Sequence, residues 1–268
     1  MPARTRLSQA AVEQRRQNVL RYVVEHGEIR IDDLAARFDV SLMTVHRDLD
    51  DLAGRRLLRK ERGRAVAFPA LTMETATRFR ESVGLAAKTA LCAAAARWIR
   101  PGSTVLIDDS TTLYPLAGML AGIDQLTVVT NSVGLAQRLG PLPGVDVTLL
   151  GGHYHSDYNS CTGPEVARVL SRIHAGLSLM SASAVLEGRL FHPVREYVEV
   201  KEAMLASIDR ALLLVDHSKF GKTATHTYGT VAAYHSVLTD TLTPDEEITA
   251  IRGLDTPVEI VDPGEHPS

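Results

Sequence analysis

Val40-Ser41-Leu42-Met43-Thr44-Val45-His46-Arg47-Asp48-Leu49-Asp50-Asp51-Leu52 decides how the first part of the chain folds. Val45, Leu49 and Leu52 recur at helical spacing, so one face of the segment is apolar. Ser41 stands where an N-cap belongs and can satisfy a free amide of the first turn. Thr44 and Arg47 are three residues apart and share the opposite face, with Met43 and His46 beside them. Short polar groups and an arginine on the outer face of an anchored helix are what reading a major groove requires. Arg47 can clamp a phosphate or pair with a guanine edge, and the sequence leaves both open.

Working outward, residues 12–26 place Val19, Leu20, Val23 and Val24 at helical spacing, and Gly27 stops that helix. Residues 31–38 form a short amphipathic helix with Asp32 and Asp33 near its positive end. After the third helix, Leu57-Leu58 and Val66 to Phe68 flank RKERGRA, a hairpin with Gly63 near its tip. Arg55, Arg56, Arg59, Lys60, Arg62 and Arg64 crowd this stretch, opposed there only by Glu61. Such a hairpin repels itself unless an anion offsets it. Helix, short helix, turn, helix and basic hairpin define a winged helix-turn-helix that binds double-stranded DNA. Ser41, Met43, Thr44, His46, Arg47, Arg59, Lys60, Arg62 and Arg64 are its candidate contacts. The bland alternative, a solvated basic face on a protein-interaction domain, needs all these features to coincide by chance.

The whole chain has 268 residues and a formal net charge of −3. Residues 1–68 carry 14 Lys and Arg against 10 Asp and Glu; the remainder carries 15 against 22. A basic head on an acidic body fits a polyanion partner for the head alone. No apolar run reaches the ~18–20 residues of a membrane span, and MPARTRLSQAAVEQRRQ lacks an export core, so a cytoplasmic protein with no membrane partner is expected. Cys92 and Cys161 are too few for a disulfide scaffold or a cysteine-based zinc site, and neither metal nor cofactor is expected.

Residues 69–82 are polar, begin with Pro69 and read as a linker or a linking helix. The pattern then changes to apolar runs typical of buried parallel strands: 104–107, 126–130, 145–150, 177–180, 211–215 and 236–239. Helical stretches at 84–99, 113–121, 133–139, 164–173 and 198–208 separate most of them. The expected division is 1–68 DNA-binding, 69–82 linker, and 83–268 a doubly wound α/β domain with its sites at the C-terminal strand ends.

Three segments fall at such ends. Asp108-Asp109-Ser110-Thr111-Thr112 offers hydroxyls and amides suited to a phosphate. Thr130-Asn131-Ser132 adds an amide and two hydroxyls, and at Gly151-Gly152 the missing Cβ lets backbone approach a ligand. Any one of these is most often an N-cap or a turn; together they point to a shared small-molecule pocket. Lys219 follows the apolar run ALLLV and is delivered to the same edge. Lys201, two residues from Glu199, does not share its helix face.

VSLMTVHRDLDDL resembles the helix-turn-helix of DeoR-family bacterial transcriptional regulators. DxSTT, TNS, LLGG, Gly163-Pro164, Glu199-Val200-Lys201 and Asp216 to Gly221 follow in the order of that family's sensor domain. The resemblance covers about residues 14–240. It implies a fold related to ribose-5-phosphate isomerase, a phosphorylated sugar or related metabolite as effector, and a homo-oligomeric (dimeric or tetrameric) repressor of carbohydrate metabolism that leaves its operator when effector binds. Carried over, the effector residues are Asp108, Ser110, Thr111, Thr112, Asn131, Ser132, Gly151, Gly152, Lys201 and Lys219. His46 replaces an arginine usual in the family turn. Gly176 replaces an acidic residue, and Phe191-His192-Pro193-Val194 stands where a polar segment is common. The change at His46 bears on the operator sequence, and those at Gly176 and at Phe191 to Val194 imply an altered or smaller effector head group, or a sensor that no longer answers a standard phosphosugar.

Two other readings compete. A sugar-phosphate isomerase fused to a DNA-binding head needs a carboxylate base, with Glu199 as candidate and Lys201 or Lys219 as electrophile. A metal site at His153-Tyr154-His155, joined by Asp157 or His192, lacks a third ligand marked by spacing. Binding without catalysis or metal is the expected outcome.

Overall fold

The computed structural model describes residues 9–54, 57–67 and 77–264. The chain divides into two compact units, Met1–Val83 and Gly84–Ser268. Among the described residues no helix is long and apolar enough to cross a membrane.

The first unit runs α1 (Gln9–His26), β1 (Glu28–Arg30), α2 (Ile31–Arg37), α3 (Leu42–Gly54), β2 (Leu58–Glu61), β3 (Arg64–Ala67) and α4 (Thr77–Ser82). Gly27 ends α1 at φ 75°, the left-handed geometry only glycine adopts freely. The apolar stripes of the three main helices meet: Val19 and Val23 of α1, Leu34 of α2, and Val45 and Leu49 of α3 are all fully buried. The expected hairpin forms, with Arg62 and Gly63 at its tip both at positive φ, as a two-residue hairpin turn requires. Strand β1 was not expected. It pairs antiparallel with β3, Glu28 opposite Val66 and Arg30 opposite Arg64, giving the sheet order β1-β3-β2. Arg55, Arg56 and residues 68–76 lie outside the described residues, and with them most of the expected linker; residues 77–82 are helical, as a linking helix would be.

The second unit continues with α5 (Leu85–Ala96), β4 (Thr104–Ile107), a 3-10 helix at Thr111–Gly118, β5 (Leu126–Thr130), α6 (Val133–Leu139), β6 (Val145–Leu149), β7 (His153–His155), β8 (Ser160–Thr162) and α7 (Pro164–Leu170). Then come β9 (Leu177–Met180), β10 (Ala184–Leu186), β11 (Arg189–His192), α8 (Arg195–Leu205), β12 (Ala211–Leu214), β13 (His226–Thr230), β14 (Ser236–Asp240), α9 (Asp245–Arg252) and β15 (Val258–Val261). Every expected strand is present. They join in one seven-stranded sheet of order β15-β14-β12-β9-β4-β5-β6, parallel throughout. Alternate residues face opposite layers: Leu106, Met180 and Leu213 belong to one core, Val105, Leu179 and Leu212 to the other. Apolar side chains on both faces explain the unbroken hydrophobic runs.

Two expectations are corrected. The stretch read as an α-helix over 113–121 is a 3-10 helix over Thr111–Gly118, with Pro115 inside it. Pro115 has no N–H to bond a carbonyl one α-turn back, and the segment winds tighter. The six expected strands also omit β15 and the small sheets β10-β11-β13 and β7-β8. Their strands are three to five residues long, too short to show a period.

This strand order positions the site. The chain runs from β4 outward through β5 and β6, returns to β9 on the other side of β4, and continues outward through β12, β14 and β15. The connections therefore diverge between β4 and β9, and the C-terminal ends of those strands are where open parallel sheets hold their ligands.

Candidate functional site

On the first unit, Ser41 caps α3. Its Oγ accepts from the Thr44 amide at 3.2 Å and bonds the Thr44 hydroxyl at 2.8 Å. Met43 is 64% exposed, and Arg47 is exposed on the same helix. Asp48, one residue on, is buried and takes three hydrogen bonds: Arg15 Nε at 2.7 Å, Arg15 Nη2 at 3.2 Å and Arg16 Nε at 3.1 Å. This clamp fixes α3 against α1 and so sets which face carries Arg47. Sequence reasoning overlooked it, although an aspartate directly between His46-Arg47 and the buried Leu49 was a visible signal.

Carboxylates of the chain itself offset part of the charge of the basic hairpin. Lys60 donates to Asp50 at 2.5 Å and to His46 Nδ1 at 3.2 Å. Arg59 pairs with Glu61 at 3.2 Å, and Arg64 pairs with Glu28 at 3.0 Å. Glu28 and Asp50 are distant in sequence from the hairpin, so a local charge count missed them. Arg47 and Arg62 are the candidate contacts with no carboxylate partner among the described residues.

On the second unit, the strand ends converge on Asp108. Its carboxylate is fully buried and accepts from Lys201 Nζ at 2.5 Å, from the Ser181 amide at 2.9 Å and from the Ser110 amide at 2.9 Å. Lys201 also donates to the Ser181 carbonyl at 2.8 Å. Asp108 follows β4 and Ser181 follows β9, so this ion pair stitches the diverging strands together. Burial drives the Asp108 carboxyl above its ordinary range, with Lys201 pulling against it. For Lys201 burial pulls downward, but Asp108 and Asp109 outweigh it and the balance is upward. Lys201 was expected to meet an anion; its hydrogen bonds go to Asp108 and Ser181, which makes it a brace for the cradle.

Around the pair, Ser110 caps the 3-10 helix, accepting from the Thr112 amide at 3.3 Å. Thr111 Oγ1 accepts from Lys88 Nζ at 3.2 Å, and Thr112 Oγ1 accepts from Ser181 Oγ at 3.4 Å. Lys88 is buried on α5. Burial pushes the Asp216 carboxyl up, yet Lys219, Ser218 and Lys88 outweigh it and hold it below its ordinary value. Two lysines thus bear on the strand ends of β4 and β12. Ser132 caps α6 through the Leu135 amide at 3.1 Å. Asn131 is fully buried; its Nδ2 donates to the Cys161 carbonyl at 3.0 Å, while its Oδ1 has no hydrogen-bond partner. Ser160 ties this segment to the first, bridging backbone to Ser132 and donating to Asp109 at 3.1 Å.

Gly152 has a different role from the one expected. A Cβ there would lie 2.4 Å from the Thr162 carbonyl oxygen, so the close approach is to the chain itself. At Gly151 a Cβ would meet nothing within 4 Å. Glu199 is half exposed and pairs with Arg195 at 3.1 Å, apart from the buried Lys201. His155 Nε2 bonds Thr162 Oγ1 at 2.7 Å, and His153 stacks edgewise on His155 with ring centroids 4.7 Å apart. Among the described residues no three His, Cys, Asp or Glu side chains come together as a metal site. His192 packs on Tyr197 at 5.0 Å, within an aromatic cluster that includes Tyr158.

The two units define a winged-helix regulator joined to a parallel-sheet sensor. The DeoR-like helix-turn-helix domain matches residues 15–69, and the DeoR C terminal sensor domain matches residues 84–241. The chain belongs to the DeoR family of transcriptional regulators. It is 30% identical to the HTH-type transcriptional repressor CsqR of Escherichia coli over 252 residues, covering 94% of this chain and 95% of that protein. It is 28% identical to the glycerol-3-phosphate regulon repressor of the same species, covering 86% and 92%. A solved D-ribose-5-phosphate isomerase in complex with phospho-erythronic acid aligns at 11% identity and a TM-score of 0.37, covering 50% of this chain and 52% of that one.

Proposed function

We propose that this protein represses a carbohydrate-metabolism operon and leaves its operator when a phosphorylated sugar occupies the strand-end crevice. The carrying observation is the pairing of opposite demands at one sheet edge. Ser110, Thr111 and Thr112, with Lys88 and Lys219 nearby, offer donors and positive charge to a phosphate. Asn131 Oδ1, buried without a partner, is an acceptor that a sugar hydroxyl can satisfy. Relatives named for the glycerol-3-phosphate regulon and for the L-fucose operon support this effector class.

Residues 83–268 hold the effector and join copies of the chain in the cytoplasm, since one winged helix covers too little DNA for operator specificity. Thr44, Arg47 and Met43 read bases, with Ser41, Arg62 and the hairpin cations on the backbone. The crevice binds without turning over. Support comes from Glu199, whose carboxylate faces solvent and Arg195, and from Lys201, which is committed to Asp108. The isomerase reading would return if the protein interconverted pentose phosphates and Glu199→Ala abolished the exchange.

The test is a thermal-shift screen against a sugar-phosphate panel, paired with operator binding, on the native chain and on Lys219→Ala. At least one phosphorylated sugar should raise the melting temperature and weaken operator binding. Lys219→Ala should lose both responses and still bind operator. A panel without effect, or equal loss of operator binding in the variant, rejects the proposal.

A further inference from the structure

The opposite edge of the sheet carries a second cleft, of about 670 Å³. It opens beside the N-terminal ends of β4, β9 and β12, and Arg97, Trp98, Arg100, Gly176 and Arg210 line it. A four-residue strand spans roughly 13 Å, so this cleft is separate from the Asp108 crevice at the other end. Its size is that of a metabolite site.

No acidic side chain lines it. Arg97 caps α5, where a cation suits the negative end of the helix dipole, and it pairs with Glu259. That accounts for one guanidinium. Arg100 and Arg210 are exposed and have no carboxylate partner among the described residues. Asp209, the acid next to Arg210 in sequence, pairs instead with His174 at 3.1 Å. Two arginines without a carboxylate in one cleft are unusual on this unit, since residues 84–268 carry 13 basic against 20 acidic residues.

Gly176 deepens the argument. It has no positive φ, and a Cβ there would meet nothing within 4 Å, so neither backbone geometry nor packing calls for glycine. Its effect is to leave this part of the cleft lining without a side chain. The departure at Gly176 was expected to alter how the effector is read; its position at this edge takes it out of the effector crevice altogether.

We propose that this cleft is a second ligand site, for a small polyanion bearing two or more phosphate or carboxylate groups. Guanidinium forks grip either group through paired N–H bonds. Trp98 borders the site, with His235 against its ring at 5.3 Å, and gives a bound ligand an aromatic wall.

Trp98 is the chain's single tryptophan, so tryptophan emission, excited selectively over the seven tyrosines, reports on the surroundings of this cleft. The full-length protein is titrated with pyrophosphate, ATP and citrate. A saturable change in emission is expected with at least one of them. Arg100→Ala combined with Arg210→Ala should weaken it at least tenfold. Gly176→Asp, which has room for its side chain and supplies the missing carboxylate, should do the same. Lys219→Ala should leave it unchanged, which separates this site from the effector crevice. A response to pyrophosphate or ATP alone identifies phosphate recognition, to citrate alone carboxylate recognition, and to all three recognition of charge density. Emission that stays flat to about 10 mM, or a response that Gly176→Asp leaves intact, overturns the proposal.

Discussion

In the first unit Asp48 receives two arginines from a neighbouring helix at the margin of the fold, whereas in the second Asp108 receives one lysine almost out of reach of water. The side chains of Arg15 and Arg16 remain 14% and 20% exposed, while that of Lys201 is 4% exposed. Arginine suits the first setting because its weakly hydrated fork can share one carboxylate among several N–H groups. The lysine of the second setting is a point charge, and its burial is tolerable only with the carboxylate and the Ser181 carbonyl in place. The head therefore leaves its arginines partly in water even though Asp48 itself is buried. The sensor buries its charges where they lock strands.

The sharpest way to break this comparison is to remove one carboxylate at a time. Asp108→Ala strands the Lys201 ammonium, and urea unfolding of the full chain should show a loss of about 3–5 kcal/mol. Replacing Asp108 and Lys201 together by Leu and Met should recover much of that loss. If the pair costs more than the single change, the brace reading fails. Asp48→Ala should cost less, roughly 2–3 kcal/mol, because its arginines can rehydrate, but operator binding should fall with it.

Arg47→Ala should leave stability untouched and weaken operator binding by about 1–3 kcal/mol. Electrophoretic shifts on variant operators distinguish base reading, which relaxes specificity at one position, from phosphate clamping, which lowers all affinities alike.

Cys92 supplies a pH test confined to the second unit. It is fully buried, donates to the Thr112 carbonyl at 3.1 Å, and burial pushes its thiol up to about 12 from an ordinary 9.0. The unfolded chain ionises first, so its thiol costs stability as pH rises from 9.0 towards about 12. The slope should approach 1.4 kcal/mol per pH unit, roughly, and Cys92→Ala should remove that part of the alkaline loss. Arg64→Ala is the smallest change. Its exposed pair with Glu28 should be worth about 0.2–1 kcal/mol by thermal melting.

The architecture was legible because the main helices and central strands carry strong periods. Val45, Leu49 and Leu52, or the run Ala211 to Leu214, announce their buried faces directly. The strand-end segments were legible as polar residues following apolar runs. What stayed hidden depends on long-range pairing. Nothing local ties Glu28 to Arg64, or Lys201 to Asp108 across 93 residues. Lys88 was hidden for the opposite reason, lying inside an alanine-rich helix where a lysine is expected to face water. At Gly152 the sequence showed a missing side chain, and only the fold shows that the Thr162 carbonyl fills the space.

The self-neutralised hairpin has a consequence for ionic strength. Lys60, Arg59 and Arg64 each sit beside a carboxylate before any duplex arrives. Contact with phosphate then exchanges one partner for another. The dependence of log affinity on log salt should thus be shallower than a tally of basic residues in the head implies, with Arg47 and Arg62 responsible for most of the counterions released.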